Sequence, residues 1–380
     1  MDRNIIESYI KENIEGVYQL IRELCLIPAP SHHEEKRAEF CKRWLTENGA
    51  DGVYTDAAKN TVFPYFCEGC DTISVVCAHL DTVFPDTEPM PYLDDGEKLH
   101  APGVGDDTAS LAVMLYSAKF MIENKIKPKH GILFVANSCE EGLGNLKGTR
   151  QIFSDYAGRI REFVTFDSGL DSICDACVGS HRYEVTVRTE GGHSFTKFGN
   201  NNAIHRLSEM ISRIYEIEVP KIDGSVTTYN VGTVSGGTSV NTIAEDAKML
   251  CEYRSSDERC LAIMKEKYEK IFAEANKGTV RVEVTRVGDR PCAKADLDME
   301  KQHSLRDRCA RVIESVIGKA PIFRSASTDC NIPLSLGIPA VSVGVYRGAL
   351  SHTRDEWVEK ASLTPGLMAG IGFVMMLSEQ

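Results

Sequence analysis

Continuous apolar runs alternate with amphipathic helical segments through the first 180 residues, which limits the chain to few fold classes. The runs "TISVVCAH", "GILFVAN" and "EFVTFD" are apolar at successive rather than alternate positions. Such strands are typical of parallel sheets covered by helices on both faces. The segment "DDTASLAVMLYSAKFMIEN" between the first two places its apolar residues on one helical face. The first part of the chain therefore predicts an α/β domain with a mostly parallel sheet.

Between residues 181 and 290 the strands change character. "HRYEVTVRTE" alternates apolar and polar residues, and a helix, two strands, a second helix and "TVRVEVTRV" follow it. This βαββαβ order is the ferredoxin-like pattern. After residue 291 the α/β pattern resumes with a helix, the apolar "IPAVSVGV" and a closing helix. We predict an α/β domain of residues 1–180 and 291–380, interrupted by a ferredoxin-like domain of residues 181–290.

Composition excludes several classes of partner. The chain has 380 residues, a net charge of -12 and no basic block, which argues against binding nucleic-acid phosphates. We expect no membrane partner, because we find no apolar run of the roughly 18 residues that a membrane span needs. The N-terminus has an acidic amphipathic helix pattern rather than a signal peptide. Thirteen cysteines, mostly in apolar segments, fit reduced thiols in a cytoplasm.

Two smaller patterns concern local structure. "PSHHEE" predicts a capping box at the second helix, in which Ser31 and Glu34 satisfy each other's backbone groups, and Gly49 ends that helix. The pairs "CEGC" and "CDAC" lie much further apart than the roughly 15–20 residues of a four-thiolate zinc site. We interpret these cysteines as ordinary thiols.

Titratable side chains follow each predicted parallel strand at the point where it ends. The first run ends at His79, with Asp81 two residues later, Glu140 and Glu141 follow the second, and the third ends at Asp167. Because ligands collect at the carboxyl ends of parallel strands, we expect these side chains to converge. Others that reach the same edge are Asp106 and Asp107 before a helix, and His352 after "VSVGV".

A cluster of this kind needs cations. Uncompensated buried carboxylates repel each other and cost several kcal/mol each, and a pair of divalent ions would remove that cost. Two histidines with several carboxylates and no thiolate are the ligands expected for two Zn²⁺ per chain, with Co²⁺ or Mn²⁺ also suitable.

Six motifs in order, "HLDTV", "GVGDD", "EEGLG", "DSG", "GGHS" and "SHTRDE", carry a resemblance to a known family. The chain resembles the zinc-dependent exopeptidases and deacylases of the MH clan, which include peptidase T, glutamate carboxypeptidase, acetylornithine deacetylase and succinyl-diaminopimelate desuccinylase. The resemblance covers nearly the whole chain. It implies that the α/β domain is catalytic and that the ferredoxin-like domain serves as a lid or for dimerisation.

The resemblance implies how the metal ligands divide. His79 and Asp167 match ligands of one ion, Glu141 and His352 match ligands of the other, and Asp106 matches the carboxylate that bridges both. Many members have Asp-x-Lys-x-Gly at the bridging position, whereas this chain has "DDTAS". We favour Asp106 over Asp107 as the bridge, because the family's aspartate precedes the helix by the same offset.

The resemblance also implies five further roles. Glu140 matches the general base, and Asp81 matches the carboxylate that orients the imidazole of His79. His193 looks like the histidine that crosses from a partner subunit to polarise the substrate carbonyl, which would require a homodimer. Asn241 and Arg254 resemble substrate-binding positions, and an arginine can grip a carboxylate with two hydrogen bonds.

The expected activity is metal-dependent hydrolysis of amide bonds in small peptides, as an exopeptidase with a binuclear zinc centre. Cleavage at the amino or carboxyl end stays open. One alternative is deacylation of an N-acyl amino acid, as in acetylornithine deacetylase. Another is a catalytically inactive homologue that only binds, against which the intact Glu140 and full ligand set argue.

Overall fold

The computed structural model describes residues 3–379, which form two compact units. The first combines the described residues up to Cys177 with those from Asp296 onward, and the second spans Val178–Ala295. The helices are α1 (Arg3–Cys25), α2 (Glu35–Glu47), α3 (Ser110–Glu123), α4 (Lys147–Asp155), α5 (Ala203–Tyr215), α6 (Glu258–Ala275), α7 (Met299–Ile317), α8 (Asn331–Ser335) and α9 (Lys360–Ser378). The strands are β1 (Tyr54–Thr55), β2 (Thr61–Tyr65), β3 (Ile73–His79), β4 (Leu93–Asp94), β5 (Lys98–His100), β6 (Gly131–Asn137), β7 (Ile160–Phe166), β8 (Ser172–Cys177), β9 (Gly179–Arg188), β10 (Gly192–His193), β11 (Thr227–Gly236), β12 (Thr242–Ile243), β13 (Asp246–Ser255), β14 (Arg281–Arg290), β15 (Ile322–Ala326), β16 (Ala340–Val343), β17 (Gly348–Ala349) and β18 (Trp357–Glu359).

The first unit is built on an eight-stranded sheet in the order β1-β2-β6-β3-β7-β16-β8-β15. Its middle strands β6, β3, β7 and β16 are parallel to one another, and every residue of β3 and β6 is buried. Antiparallel pairs join β1, β2 and β6 on one side and β16 to β8 on the other. The predicted mostly parallel sheet is confirmed. Its central strands end at one edge of the sheet, where the predicted site residues follow them.

Helix α9 corrects the expectation that no segment is long and apolar enough to cross a membrane. By length and composition this helix passes that test, but 61% of its most apolar window is buried inside the protein. It packs against α1, α3 and α7. A helix that is surrounded by other elements is apolar on all sides, which is why it resembles a membrane span in composition.

The second unit carries the predicted βαββαβ order, formed by β9, α5, β11, β13, α6 and β14. Its antiparallel sheet runs β11-β13-β9-β14, and residues from the sheet and from both helices share one core. The ferredoxin-like prediction is therefore confirmed. Strand β11 lies at the edge of this sheet with most of its residues exposed or half-buried.

Two local features of the first unit shape the site. Strands β17 and β18 pair through Gly348 with Val358 and Ala349 with Trp357, which closes the intervening residues 350–356 into a loop. The segment 104–109 leads into α3 with non-helical backbone angles at Asp106 and Asp107, whose joining peptide bond is cis.

Candidate metal centre

Asp106 lies between two histidines that are far apart in the sequence. One carboxylate oxygen, Oδ1, is 3.0 Å from Nε2 of His79, and the other, Oδ2, is 3.0 Å from Nε2 of His352. His352 Nε2 is also 3.1 Å from Oε1 of Glu141. One carboxylate therefore faces the Nε2 atoms of two imidazoles at once.

The potential ligand atoms fall into three overlapping groups, within each of which they lie no more than 4.8 Å apart. The groups are Asp106 with Glu141 and His352, His79 with Asp107 and Asp167, and His79 with Glu140 and Glu141. The first two have no residue in common. His79 belongs to the second and third groups, and its Nε2 also faces Asp106 of the first.

Asp81 connects several parts of this cluster. Its backbone carbonyl is 3.0 Å from Nδ1 of His79, whereas its carboxylate Oδ1 is 3.5 Å from the same nitrogen. The carboxylate accepts hydrogen bonds from the backbone N–H groups of Glu140 and Glu141, both at 2.9 Å. The contact with His79 that we predicted for the carboxylate is thus made more closely by the main chain. The carboxylate mainly holds the two glutamates in place, and such outer contacts orient metal ligands.

The environment shifts the pKa values of these groups strongly. Burial disfavours the charged form of Asp167, and the charges of Asp106 and Asp107 raise its pKa further. Burial opposes ionisation of Asp106 too, but hydrogen bonds from His352 and His79 lower its pKa. For His79, the charge of Asp107 and the bond to Asp106 outweigh burial and raise the pKa well above its usual value. Hydrogen bonds to Asp106 and Glu141 raise the pKa of His352 to about 10. Carboxyl groups outnumber imidazoles here, so the cluster lacks positive charge.

An unpartnered carboxylate oxygen is a second indication that these residues can bind metal ions. Asp107 is buried and accepts a hydrogen bond from the backbone N–H of His79 through Oδ2, but its Oδ1 has no hydrogen-bond partner in the described part of the chain. Burial, which outweighs the charge of His79, raises the pKa of Asp107. An orphaned buried oxygen beside His79 and Asp167 is expected where a cation binds.

Ser31 and Glu34 form hydrogen bonds with the loops around the ligand cluster and do not cap helix α2. Helix α2 begins at Glu35, and the side chain of Glu34 makes no capping hydrogen bond. Instead the Ser31 hydroxyl donates to Oδ2 of Asp81 at 2.6 Å, and Glu34 accepts from the backbone N–H of Cys139 at 3.0 Å. The predicted capping box is wrong, because both side chains have partners in the loops around the cluster.

Two buried charged residues were missed by sequence reasoning. Glu356 accepts hydrogen bonds from three backbone N–H groups in the segment that carries Asp106. Arg37 is 1% exposed and donates to the carbonyl of Leu80, between His79 and Asp81, at 2.8 Å. Glu356 stands within the "SHTRDE" motif, which could have drawn attention to it, but nothing in the pattern around Arg37 indicates such a position.

The second unit holds the three remaining predicted site residues. His193 and Asn241 lie on neighbouring segments, since His193 pairs with Thr242 and the Ser194 N–H donates to the Asn241 carbonyl at 3.0 Å. The Phe195 backbone N–H donates to Nδ1 of His193 at 3.2 Å. Both His193 and Asn241 are exposed.

Arg254 has a partner within the second unit. Its Nε donates to Oε1 of Glu252 at 2.7 Å, and a terminal nitrogen donates to Oε2 at 3.2 Å. The guanidinium thus already makes a two-point contact with a carboxylate. The same two-point geometry would suit a substrate carboxylate only if the contact between Arg254 and Glu252 were broken.

The fold and the clustered ligands define a metal-dependent hydrolase with a helix-covered, mainly parallel sheet and a ferredoxin-like unit. Residues 75–375 match the peptidase family M20/M25/M40. Because this match spans most of the chain, the protein belongs to that family. It is an enzyme, a metal-dependent hydrolase of amide bonds.

Individual relatives and solved structures are similar to this chain along most of its length. The chain is 26% identical over 352 residues to the putative succinyl-diaminopimelate desuccinylase DapE of Mycobacterium tuberculosis, covering 91% of this chain and 94% of that protein. It matches the crystal structure of aminopeptidase PepT from Bacillus cereus with a TM-score of 0.69 and 21% identity, covering 97% and 99% of the two chains. A third match is Bacillus subtilis YXEP, a dinuclear metal-binding peptidase of the M20 family, with a TM-score of 0.64, 14% identity and coverage of 97% and 99%.

Proposed function

We propose that this protein is a binuclear zinc exopeptidase that hydrolyses small peptides. The first unit is the catalytic domain, and the second is a lid or dimerisation domain. The observation that carries this proposal is the position of Asp106, whose two oxygens face Nε2 of His79 and Nε2 of His352 at equal distances. A carboxylate that faces two imidazoles in this way could offer one oxygen to each of two metal ions.

The ligands are assigned as the family resemblance divides them, and the groups Asp106-Glu141-His352 and His79-Asp107-Asp167 support this division. His79 and Asp167 would hold one ion, Glu141 and His352 the other, and Asp106 would hold both. The nitrogen and oxygen donors suit Zn²⁺, and Co²⁺ or Mn²⁺ would be accepted as well. Bound ions would polarise the scissile carbonyl and lower the pKa of a water molecule. Asp107 would support the first ion through its orphaned Oδ1.

Glu140 is the proposed general base. It is buried, and its carboxylate lies within 4.8 Å of ligand atoms of His79 and Glu141. Its backbone N–H is held by Oδ1 of Asp81, so the position of the residue is fixed. The carboxylate would take a proton from the attacking water and give it to the leaving amine nitrogen, which a positioned carboxyl group can do in both directions.

His193 is proposed to donate a hydrogen bond to the substrate carbonyl oxygen from a partner subunit. Because its Nδ1 accepts from the Phe195 N–H, the neutral ring carries its proton on Nε2. The exposed Nε2–H is then a donor toward the charge that develops on that oxygen. Action in trans requires a homodimer, and the exposed edge strand β11 offers a surface on which two such units could associate.

Asn241 and Arg254 are proposed to bind the substrate. Asn241 lies beside His193, and Arg254 would exchange Glu252 for a substrate carboxylate. The second candidate function is deacylation of an N-acyl amino acid, favoured by the similarity to a putative desuccinylase along nearly the whole chain. A catalytically inactive binding protein is disfavoured, since Glu140 and all predicted ligands are present and lie together.

We also propose that the protein acts in the cytoplasm, without a nucleic-acid or membrane partner. Its cysteines are mostly buried, as expected of reduced thiols. The net charge of -12 disfavours nucleic-acid phosphates. The apolar helix α9 is mostly buried against the rest of its unit and is therefore accounted for by the core.

A substrate panel tests the proposal. The zinc-loaded protein is incubated with di- and tripeptides, with their N-terminally blocked and C-terminally amidated forms, and with N-acetyl and N-succinyl amino acids. We expect the highest kcat/KM on unblocked peptides. A preference of tenfold or more for N-acyl amino acids would instead establish the deacylase. Failure of the metal-loaded protein to hydrolyse any peptide in the panel would contradict the proposed exopeptidase activity.

A further inference from the structure

Glu356 occupies an unusual position for a carboxylate. It is 1% exposed, and its side chain accepts three hydrogen bonds from backbone N–H groups. Oε2 accepts from Gly103 at 2.7 Å, while Oε1 accepts from Gly105 at 3.0 Å and from Asp106 at 2.9 Å. Burying a charge is costly unless it is hydrogen-bonded in this way.

The three donors belong to the segment that places the bridging aspartate. This segment has non-helical backbone angles at Asp106 and Asp107. Space for an alternative arrangement is small, since a Cβ on Gly105 would lie 2.8 Å from Oε1 of Glu356. The backbone of residues 103–106 is thus fitted to this one carboxylate.

Glu356 also belongs to the loop that carries one of the proposed metal ligands. Glu356 ends the loop of residues 350–356, and the same loop carries His352, whose Nε2 contacts Oδ2 of Asp106. One short segment therefore contacts Asp106 at both its side chain and its backbone N–H. A shift of this loop would move both contacts together.

We propose that Glu356 is a positioning residue that sets the orientation of the Asp106 carboxylate between the two metal ions. Its carboxylate oxygens bind backbone N–H groups, so we expect it to act on the ions only through Asp106. The inference rests on the proposed function in that it requires a metal site bridged by Asp106. Outer residues that orient metal ligands typically change metal affinity or activity by about 10–100-fold when they are replaced.

The test is a metal titration of the chelator-treated full-length protein with Zn²⁺, comparing Glu356→Gln and Glu356→Ala with a matched control. In Glu356→Gln the amide oxygen can still accept from Gly105 and Asp106, but the amide nitrogen faces the Gly103 N–H. The control is Glu162→Gln, which removes a buried carboxylate at the start of β7 that is bonded to Ser74 and Arg308. Thermal unfolding of each metal-free variant is recorded alongside.

We expect Glu356→Gln to weaken binding of at least one ion about tenfold, with Glu356→Ala weaker still and KM changed less than kcat. Glu162→Gln should lower the melting temperature without changing zinc affinity. If Glu356→Ala does not fold, Glu356→Gln decides. Zinc affinity of Glu356→Gln within twofold of wild type, or an equal loss in Glu162→Gln, would overturn the inference. A wild-type protein that binds no zinc would instead contradict the proposed function.

Discussion

Oδ2 of Asp106 lies 3.0 Å from Nε2 of His352, although the two residues belong to the two chain segments of the first unit that the second unit separates. His352 adopts a positive φ of 66°, a left-handed conformation that is uncommon for residues other than glycine. Such strain is retained where the surrounding structure requires it, often at functional sites. The loop of His352 is thus shaped to bring its imidazole to the aspartate.

Replacing Glu140 by glutamine should remove catalysis and leave the metals in place. The amide cannot accept the proton of the attacking water, so kcat should fall by roughly 10²–10⁴-fold. The variant is assayed on the best peptide of the substrate panel, with its metal content measured in the same preparation. Hydrolysis at the wild-type rate would refute the role of Glu140 as base.

Mixed dimers test whether His193 acts in trans. His193→Ala and Glu140→Gln homodimers should each be nearly inactive. In a heterodimer of the two, one active site combines an intact Glu140 with an intact His193 from the other chain, so it should show about half the wild-type activity. Differently tagged chains allow the heterodimer to be purified and assayed. A verified heterodimer as inactive as its parents would exclude action in trans.

Arg254→Lys should weaken binding of substrates that have a free carboxylate. Lysine keeps the charge but loses the two-point contact, so KM should rise about tenfold for these peptides and change little for their C-terminal amides. The control is Arg188→Lys, because Arg188 forms an ion pair with Glu283 on the same sheet and has no proposed role in binding. Equal changes for the acid and amide substrates would show that Arg254 only pairs with Glu252.

Arg37→Met should destabilise the first unit strongly. Arg37 is buried and donates to the carbonyls of Leu24, Ile27 and Leu80, and hydrogen bonds to charged groups contribute about 1.5–3 kcal/mol each. We expect the free energy of unfolding of the metal-free protein to fall by roughly 3–5 kcal/mol in urea denaturation. The control Arg43→Met makes the same change at an exposed position of α2 and should cost less than about 0.5 kcal/mol. Similar losses in both variants would show that burial of Arg37 contributes little.

The sequence predicted those parts of the molecule that depend on long apolar patterns. Strands β3, β6 and β7 are buried on both faces, so their composition indicated a parallel sheet, and the chain's His79 and Asp167 had to follow at its edge. In the second unit, the order of alternating apolar and polar strands and of helices along the chain indicated the ferredoxin-like fold. The convergence of ligands required only that parallel strands end together.

The parts that were missed depend on single contacts between distant segments. Glu356 and Arg37 bind backbone groups, and a backbone N–H or carbonyl has no signature in the sequence. Ser31 looked like a helix cap because its local pattern fits one, but its hydroxyl donates to Asp81, fifty positions away. Helix α9 met the composition of a membrane span because a helix enclosed by others has the same apolar surface.

The metal content of the protein tests the account most directly. Protein purified without chelators, supplied with excess Zn²⁺ and then desalted, should contain close to two ions per chain by elemental analysis. Asp106→Asn should contain one or fewer, because the amide nitrogen cannot serve as the second ligand oxygen. One ion or none in the wild-type protein, under conditions in which it is folded, would contradict a centre bridged by Asp106.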